Sequence, residues 1–345
     1  MKKNFLSDNA SGVHENVMAA IVEANRGYSP AYGDDHWTEK ASDLIRHNFD
    51  SDAKVLFCFG GTGANVTALS AIVHPFESIL CARSAHIWNN ECGALEKISG
   101  SKIVPIPDHY GKLKPQEIQS LLEDSHGVHT SSPRVLSITQ PTEWGVLYTV
   151  DELRELSEFA HDRAMFVHMD GARYCNAVSS TGKSLSAMGP ECGIDVLSFG
   201  GTKNGLLGAE AVIFFNRDIS HNAEASRKQT TQLASKMRFI AAQFIAYLQD
   251  NLWFELSTHA NKSMERLIQG CAARVKDFKL SCPAQCNMGF PYLESEITNS
   301  LRVNYDFHLW KEKENIVRWV TSFDTRAEDI DSLVHELGQL YDKLL

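Results

Sequence analysis

A lysine, an aspartate, a histidine and a cluster of glycines stand at the ends of apolar runs in this sequence, and those types together can do carbonyl chemistry. In Val196-Leu197-Ser198-Phe199-Gly200-Gly201-Thr202-Lys203-Asn204-Gly205 an apolar run stops at two glycines and a lysine follows. Such a run reads as a strand buried on both faces, and open α/β sheets place ligands at strand carboxyl ends. An amine there can attack a carbonyl. Asp170 closes the preceding run, 33 residues earlier (203 − 170). A carboxylate at that position is costly to bury unless it meets a positive partner. The first run ends in Gly60-Gly61-Thr62-Gly63-Ala64-Asn65 ahead of a helix, and a glycine turn at a helix amino terminus offers free N–H groups to an anion. It lacks the Gly-Lys-Ser/Thr of a Walker loop and the spacing of the dinucleotide fingerprint. His86, in Ser84-Ala85-His86-Ile87-Trp88 after the second run, can stack on a planar ligand or move a proton near neutral pH.

Each group also has a plainer reading: a surface lysine, a tight turn, a histidine or aspartate capping a helix, or Asp170 paired with Arg173. Taken together they ask for one ligand, a planar molecule with an aldehyde, a ring nitrogen and a phosphate. Pyridoxal 5'-phosphate is such a molecule, taking a lysine at its aldehyde and an acid at its ring nitrogen.

The positioning elements follow from periodicity. Seven short apolar runs recur, at 55–59, 79–81, 103–106, 135–138, 165–169, 196–199 and 211–215, most of them separated by helical stretches such as 63–73, 115–124 and 151–162. That alternation predicts an α/β fold with a seven-stranded, mostly parallel sheet covered by helices. Two helices precede it, at 15–25 and 37–49, joined by the loop Tyr28-Ser29-Pro30-Ala31-Tyr32-Gly33-Asp34-Asp35. Beyond residue 218 the pattern predicts long helices over 222–250 and 253–277, strands around 300–309 and 316–322, and a closing helix over 327–344. The expected division is a large domain over 1–250 and a smaller C-terminal α+β domain over 251–345.

The chain has 345 residues, 43% hydrophobic and 22% charged, with a formal net charge of −10. Those values describe a soluble protein with a sizeable core and argue against a general nucleic-acid binder. No run reaches membrane-spanning length, and Met1-Lys2-Lys3-Asn4-Phe5 has no apolar leader character. None of the eight cysteines shows zinc-finger spacing, so no metal site is expected and reduced thiols in the cytoplasm are.

Phe5-Leu6-Ser7-Asp8-Asn9, Tyr32-Gly33-Asp34-Asp35, Gly61-Thr62-Gly63-Ala64-Asn65, Ala85-His86, Asp170-Gly171-Ala172-Arg173 and Lys203 resemble the L-threonine aldolases, pyridoxal-phosphate enzymes of fold type I within the β-eliminating lyase and aldolase group. The resemblance runs from about residue 5 to the end. It implies cleavage of L-threonine or L-allo-threonine to glycine and an aldehyde, with a phenylserine-type aldolase or a β-eliminating lyase as the alternative. It also implies that Lys203 holds the cofactor, Asp170 pairs with its ring nitrogen, Gly61 and Thr62 bind its phosphate, and His86 stacks on its face. Arg173 and Ser7 would sit by the cofactor oxygen and the substrate carboxylate, with Arg318 clamping that carboxylate and His129 acting near the β-hydroxyl. Arg227 and Lys228 would reach a neighbouring subunit's phosphate in a homodimer or homotetramer. The chain departs from the commonest pattern at Asp8-Asn9, at Gln140-Pro141-Thr142-Glu143 and at Thr202 before the lysine.

Overall fold

The computed structural model describes residues 2–123 and 127–343. Residues 124 and 344, the last of two expected helices, lie outside them. The strands are β1 (Lys3–Asn4), β2 (Lys54–Cys58), β3 (Glu77–Ala82), β4 (Lys102–Ile106), β5 (Ser132–Thr139), β6 (Phe166–Gly171), β7 (Val196–Gly200), β8 (Glu210–Phe214), β9 (Met288–Gly289), β10 (Tyr305–Asp306), β11 (His308–Lys311) and β12 (Ile316–Val320).

Seven of them form the expected sheet, in the order β2-β8-β7-β6-β5-β3-β4. The β3–β4, β3–β5, β5–β6 and β6–β7 pairs are parallel. Only β8 runs the other way, antiparallel to both β2 and β7. Residues of β7 and β8 are buried on both faces, as helix-covered sheets require. The helix Val150–His161 begins in a capping box, Thr149 with Glu152, which satisfies two otherwise unpaired N–H groups.

The predicted helix over 222–250 is broken. Helices span Ala223–Gln229 and Arg238–Leu248 instead. Between them Thr230 hydrogen-bonds Thr67 Oγ1 at 2.7 Å, Thr231 takes a left-handed backbone with φ 63°, and Gln232 Oε1 accepts from Phe59 N–H at 3.2 Å. The second long helix is Leu252–Arg274, set off by positive φ at Asp250 and Asn251. Part of the strand expected around 300–309 is helical, Ser295–Leu301. Ile297 and Leu301, four apart, both reach the core from one helix face. Short strands β10 and β11 follow it.

The C-terminal part carries the antiparallel sheet β11-β12-β9. Its core includes Met264, Leu267, Trp319, Ile330, Leu333 and Leu337, and Phe5 from the other end of the chain. β1 pairs in parallel with β10, and Val320 N–H donates to Phe5 O at 2.9 Å. Burying the whole Phe5 ring stabilises this docking by about 1.5–3 kcal/mol. The amino-terminal segment therefore lies across the C-terminal sheet and ends over the rim of the large one. Among the described residues no helix is long and apolar enough to cross a membrane.

Candidate active site

The carboxyl ends of the parallel strands form one rim. β2 ends at the glycine turn and β3 runs on to His86. Asp170 is near the end of β6, and Lys203 follows β7 on the short turn Thr202–Asn204. The strand-end argument thus brings Asp170, His86, Lys203, Gly61 and Thr62 to one side of the sheet.

Asp170 is the best-defined of these. Its carboxylate is buried and accepts from Asn65 Nδ2 at 2.9 Å and from Ala172 N–H at 3.0 Å. Burial pushes this carboxyl up, but the charges of His86 and Lys203 and the two donors outweigh it and hold Asp170 below the usual range. It forms no ion pair with Arg173. Arg173 is instead gripped by Asp8, with Nε to Oδ2 at 2.6 Å and Nη2 to Oδ1 at 2.8 Å. Asn287 Nδ2 donates to the same Asp8 at 3.0 Å. Asp170 is therefore left ionised and facing the rim without a guanidinium of its own.

Asn65 also donates from Nδ2 to Glu91 Oε1 at 2.9 Å, and that oxygen lies 2.8 Å from His86 Nδ1. One amide thus bridges two buried acids, and the second acid holds the histidine. Burial pushes Glu91 up, while the hydrogen bond to Glu91 is the main reason His86 is raised. With Glu91 accepting at Nδ1, the imidazole carries its proton there and presents Nε2 as the basic nitrogen. His86, Glu91 and Asp170 bring their ligand atoms within 4.8 Å of one another, and the Asn65 amide bridges the two carboxylates.

The glycine turn opens the helix Gly61–Ser70. Its N-cap, Gly60, makes no side-chain cap, and a Cβ at Gly60 or Gly61 would meet nothing within 4 Å. No side chain caps the first-turn N–H groups there, and Gly61 is exposed. Gly63 has a different purpose: a Cβ there would meet the Gln232 amide at 2.2–2.5 Å. It makes room for the side chain that ties the broken helix to β2.

Arg318 lies on β12. Its Nη2 donates to Leu6 O at 3.4 Å, its guanidinium sits 5.2 Å from the Trp310 ring centre, and its Nε has no partner. Burial, then the nearby Arg173 charge, pull it down to about 10. Arg173 is answered by Asp8, so Arg318 is the cation open to an incoming carboxylate. Ser7 is engaged locally, its Oγ accepting from Asn9 N–H at 3.1 Å.

His129 lies elsewhere. It ends the exposed turn Gly127–His129 just before β5. At about 3.3 Å per residue, the length of β5 separates it from the rim, and one chain alone does not bring it to His86. Arg227 and Lys228 close the helix Ala223–Gln229, with Lys228 over the exposed Tyr32 ring at 5.3 Å.

The site also contains residues that sequence reading passed over: Asn65, Glu91, Asp8 and Asn287. Gln140, at one departure from the commonest pattern, spends its amide on Tyr148, accepting from its N–H and donating to its carbonyl, each at 2.9 Å. Next to the rim lies a cleft of about 710 Å³ between the two sheets, lined by Arg83, Ser84, Tyr110, Trp144, Tyr292 and Trp310 among others.

Residues 4–288 match the beta-eliminating lyase family model. The low specificity L-threonine aldolase of Pseudomonas aeruginosa is 40% identical over 337 residues, covering 97% of each chain. That of Saccharomyces cerevisiae is 26% identical over 282 residues, covering 81% of this chain and 71% of the yeast protein. The Leishmania major threonine aldolase structure superposes with a TM-score of 0.93 at 31% identity, over 98% and 99% of the two chains. A Thermus thermophilus aspartate aminotransferase variant, 13% identical, shares the fold with a TM-score of 0.73 over 98% of this chain and 91% of its own.

Proposed function

We propose that this chain, which belongs to the beta-eliminating lyase family, is a pyridoxal-phosphate-dependent aldolase that cleaves L-threonine, L-allo-threonine and related β-hydroxy-α-amino acids to glycine and an aldehyde. The observation that carries this reading is the buried, ionised Asp170 held open on the same rim as Lys203. An acid kept in that state fits a protonated ring nitrogen, the open helix terminus at Gly60–Gly61 fits a phosphate, and the lysine fits the aldehyde. When bound, pyridoxal phosphate supplies a carbonyl for amines and a ring that takes up the electron pair released at the substrate α-carbon.

The protein's residues then have separate tasks. Lys203 would hold the cofactor by its aldehyde carbon. Asp170 keeps the ring nitrogen protonated, and Asn65 and the Ala172 N–H keep Asp170 ionised. His86 would flank the cofactor ring and take the β-hydroxyl proton at Nε2, with Glu91 fixing its tautomer and strengthening it as a base. Arg318 grips the carboxylate, which fixes the rotation about the bond to be broken. Arg173 acts from one step back, holding Asp8 and with it the amino-terminal segment. His129 would have to come from another copy of the chain. The exposed Tyr28 and Tyr32 support such a partner in a homodimer or homotetramer, and the eight free thiols support a cytoplasmic setting.

Glycine and aldehyde release from L-threonine, L-allo-threonine and phenylserine, each added to purified protein with pyridoxal phosphate, tests the reading. Pyruvate and ammonia from serine, with no acetaldehyde from threonine, would replace it by β-elimination. Glu91→Gln keeps the size of the side chain but removes its charge, so His86 falls back toward its ordinary value. The acid limb of the pH–rate profile is expected to move to lower pH, with kcat reduced roughly tenfold or more. An unchanged acid limb would remove His86 as the base.

The aromatic cleft favours a second substrate class, β-aryl serines. Trp144 and Trp310 meet edge to face at 5.5 Å, and Tyr110 meets Trp144 likewise at 5.5 Å. Trp310→Ala is expected to lower the phenylserine-to-threonine ratio of kcat/KM by roughly 3–10-fold, the worth of one aromatic contact. An unchanged ratio would place the aryl group elsewhere.

A further inference from the structure

The reversed strand β8 puts its first residue where its neighbours put their last. Glu210 pairs with Gly200 of β7 on one side and Cys58 of β2 on the other, so a buried carboxyl lies beneath the lysine turn. Glu210 Oε2 accepts from Gly201 N–H at 3.2 Å. Across the turn, Thr202 Oγ1 accepts from Ala209 N–H at 3.1 Å. The turn has little slack, because a Cβ at Gly201 would meet Leu206 at 2.4 Å and one at Gly200 would meet Ala172 O at 2.6 Å.

Three buried acids feel the charge of Lys203: Asp8, Asp170 and Glu210. Asp8 has Arg173 as its ion-pair partner, and Asp170 has the Asn65 amide and the role described above. Glu210 forms no ion pair of its own among the described residues. We propose that Glu210 is the counter-charge of Lys203, a positioning residue that holds the lysine turn by the Gly201 N–H and balances the ammonium whenever the lysine is released. This inference rests on Lys203 being the cofactor lysine.

The titratable groups facing Glu210 are few. Cys58 on β2 is pushed up to about 12 by burial and Tyr247 on the helix Arg238–Leu248 is raised, so both are neutral. Asp170 on β6 opposes ionisation of Glu210, and Lys203 is the cation that favours it. Burial dominates and raises Glu210 to about 7 from 4.5. The folded chain therefore takes up this proton more readily than the unfolded one. Its stability falls as pH rises between those two values and the loss is complete above the higher one.

The test uses the full chain with Glu210→Gln, which keeps shape and cannot ionise. Without cofactor, its Tm relative to the wild type is expected to be higher at pH 8 than at pH 5. With cofactor, the bound chromophore's visible absorbance and kcat/KM for L-threonine are both expected to lose an ionisation near pH 7, and Glu210→Asp to restore it. A double-mutant cycle with Lys203→Met, read as Tm at pH 8, isolates the pair. Lys203→Met is expected to lower Tm more in the Glu210 chain than in E210Q, where Asp8 and Asp170 still feel its loss. Additive effects in the cycle, or pH profiles identical in wild type and E210Q, would overturn the proposal and leave the aldolase reading standing. An active Lys203→Ala would instead overturn the reading on which both rest.

Discussion

Lys203→Ala is expected to lower glycine release from L-threonine at saturating substrate by roughly 10³–10⁶-fold, the range seen when a covalent nucleophile is removed. The size follows from where the lysine stands. In the proposed function it holds the cofactor and supplies the amine that returns at the end of each turnover, so no neighbour substitutes for it. Its loss also removes a cation from among Asp8, Asp170 and Glu210, whose ionisation it favours. The variant should therefore bind pyridoxal phosphate more weakly as well as react more slowly. Cofactor retention after gel filtration, together with glycine release in a single turnover, separates the two effects. A variant that keeps a yellow cofactor and releases glycine at the wild-type rate would sink the assignment.

Arg318→Met should act in opposite directions on catalysis and on stability. A fully desolvated charge-assisted pair with the substrate carboxylate is worth about 3 kcal/mol, or roughly 10²-fold in kcat/KM. Without substrate the same guanidinium is a burden, since it has an unpartnered buried Nε and lies near the charge of Arg173. Replacing it with a flexible apolar side chain removes both costs. The cofactor-free chain is then expected to melt about 1–3 °C higher. Calorimetry and threonine kinetics on one preparation check the pair of outcomes. A variant that loses stability along with activity would make Arg318 a structural residue rather than a substrate clamp.

Much of this was legible from the order of residues, for identifiable reasons. Strand ends are marked by apolar runs meeting glycines or charges, so Asp170, Lys203 and the turn at Gly60–Gly63 stood out, and the sheet followed from the same runs. The groups that set their chemistry were hidden by context. Asn65 sits in the helical stretch that follows the glycine turn, and Glu91 directly follows the polar pair Asn89-Asn90. Glu210 could not be placed, because nothing local in Glu210–Phe214 says which way that strand runs. The break after Gln229 was hidden too, since no glycine or proline marks Thr230–Gln232 while long-range contacts to Thr67 and Phe59 decided the backbone. Arg318 needed the resemblance, since a strand arginine alone says only that a charge is present.

The amino-terminal segment has a consequence for how the protein is made. Lys3 pairs with Tyr305, Leu6 O accepts from Arg318, 312 residues away, and Asp8 takes a hydrogen bond from Asn287, 279 residues away. These residues are made some 279 to 312 residues ahead of their partners. At about 5–20 residues per second, Phe5 waits roughly 15–60 s with a bare aromatic ring before Tyr305 and Val320 are made. The large sheet can form meanwhile, but the contact of Leu6 with Arg318 closes only once residue 318 is made. A nascent chain stalled between residues 210 and 318 therefore carries Lys203 and its three acids without Arg318.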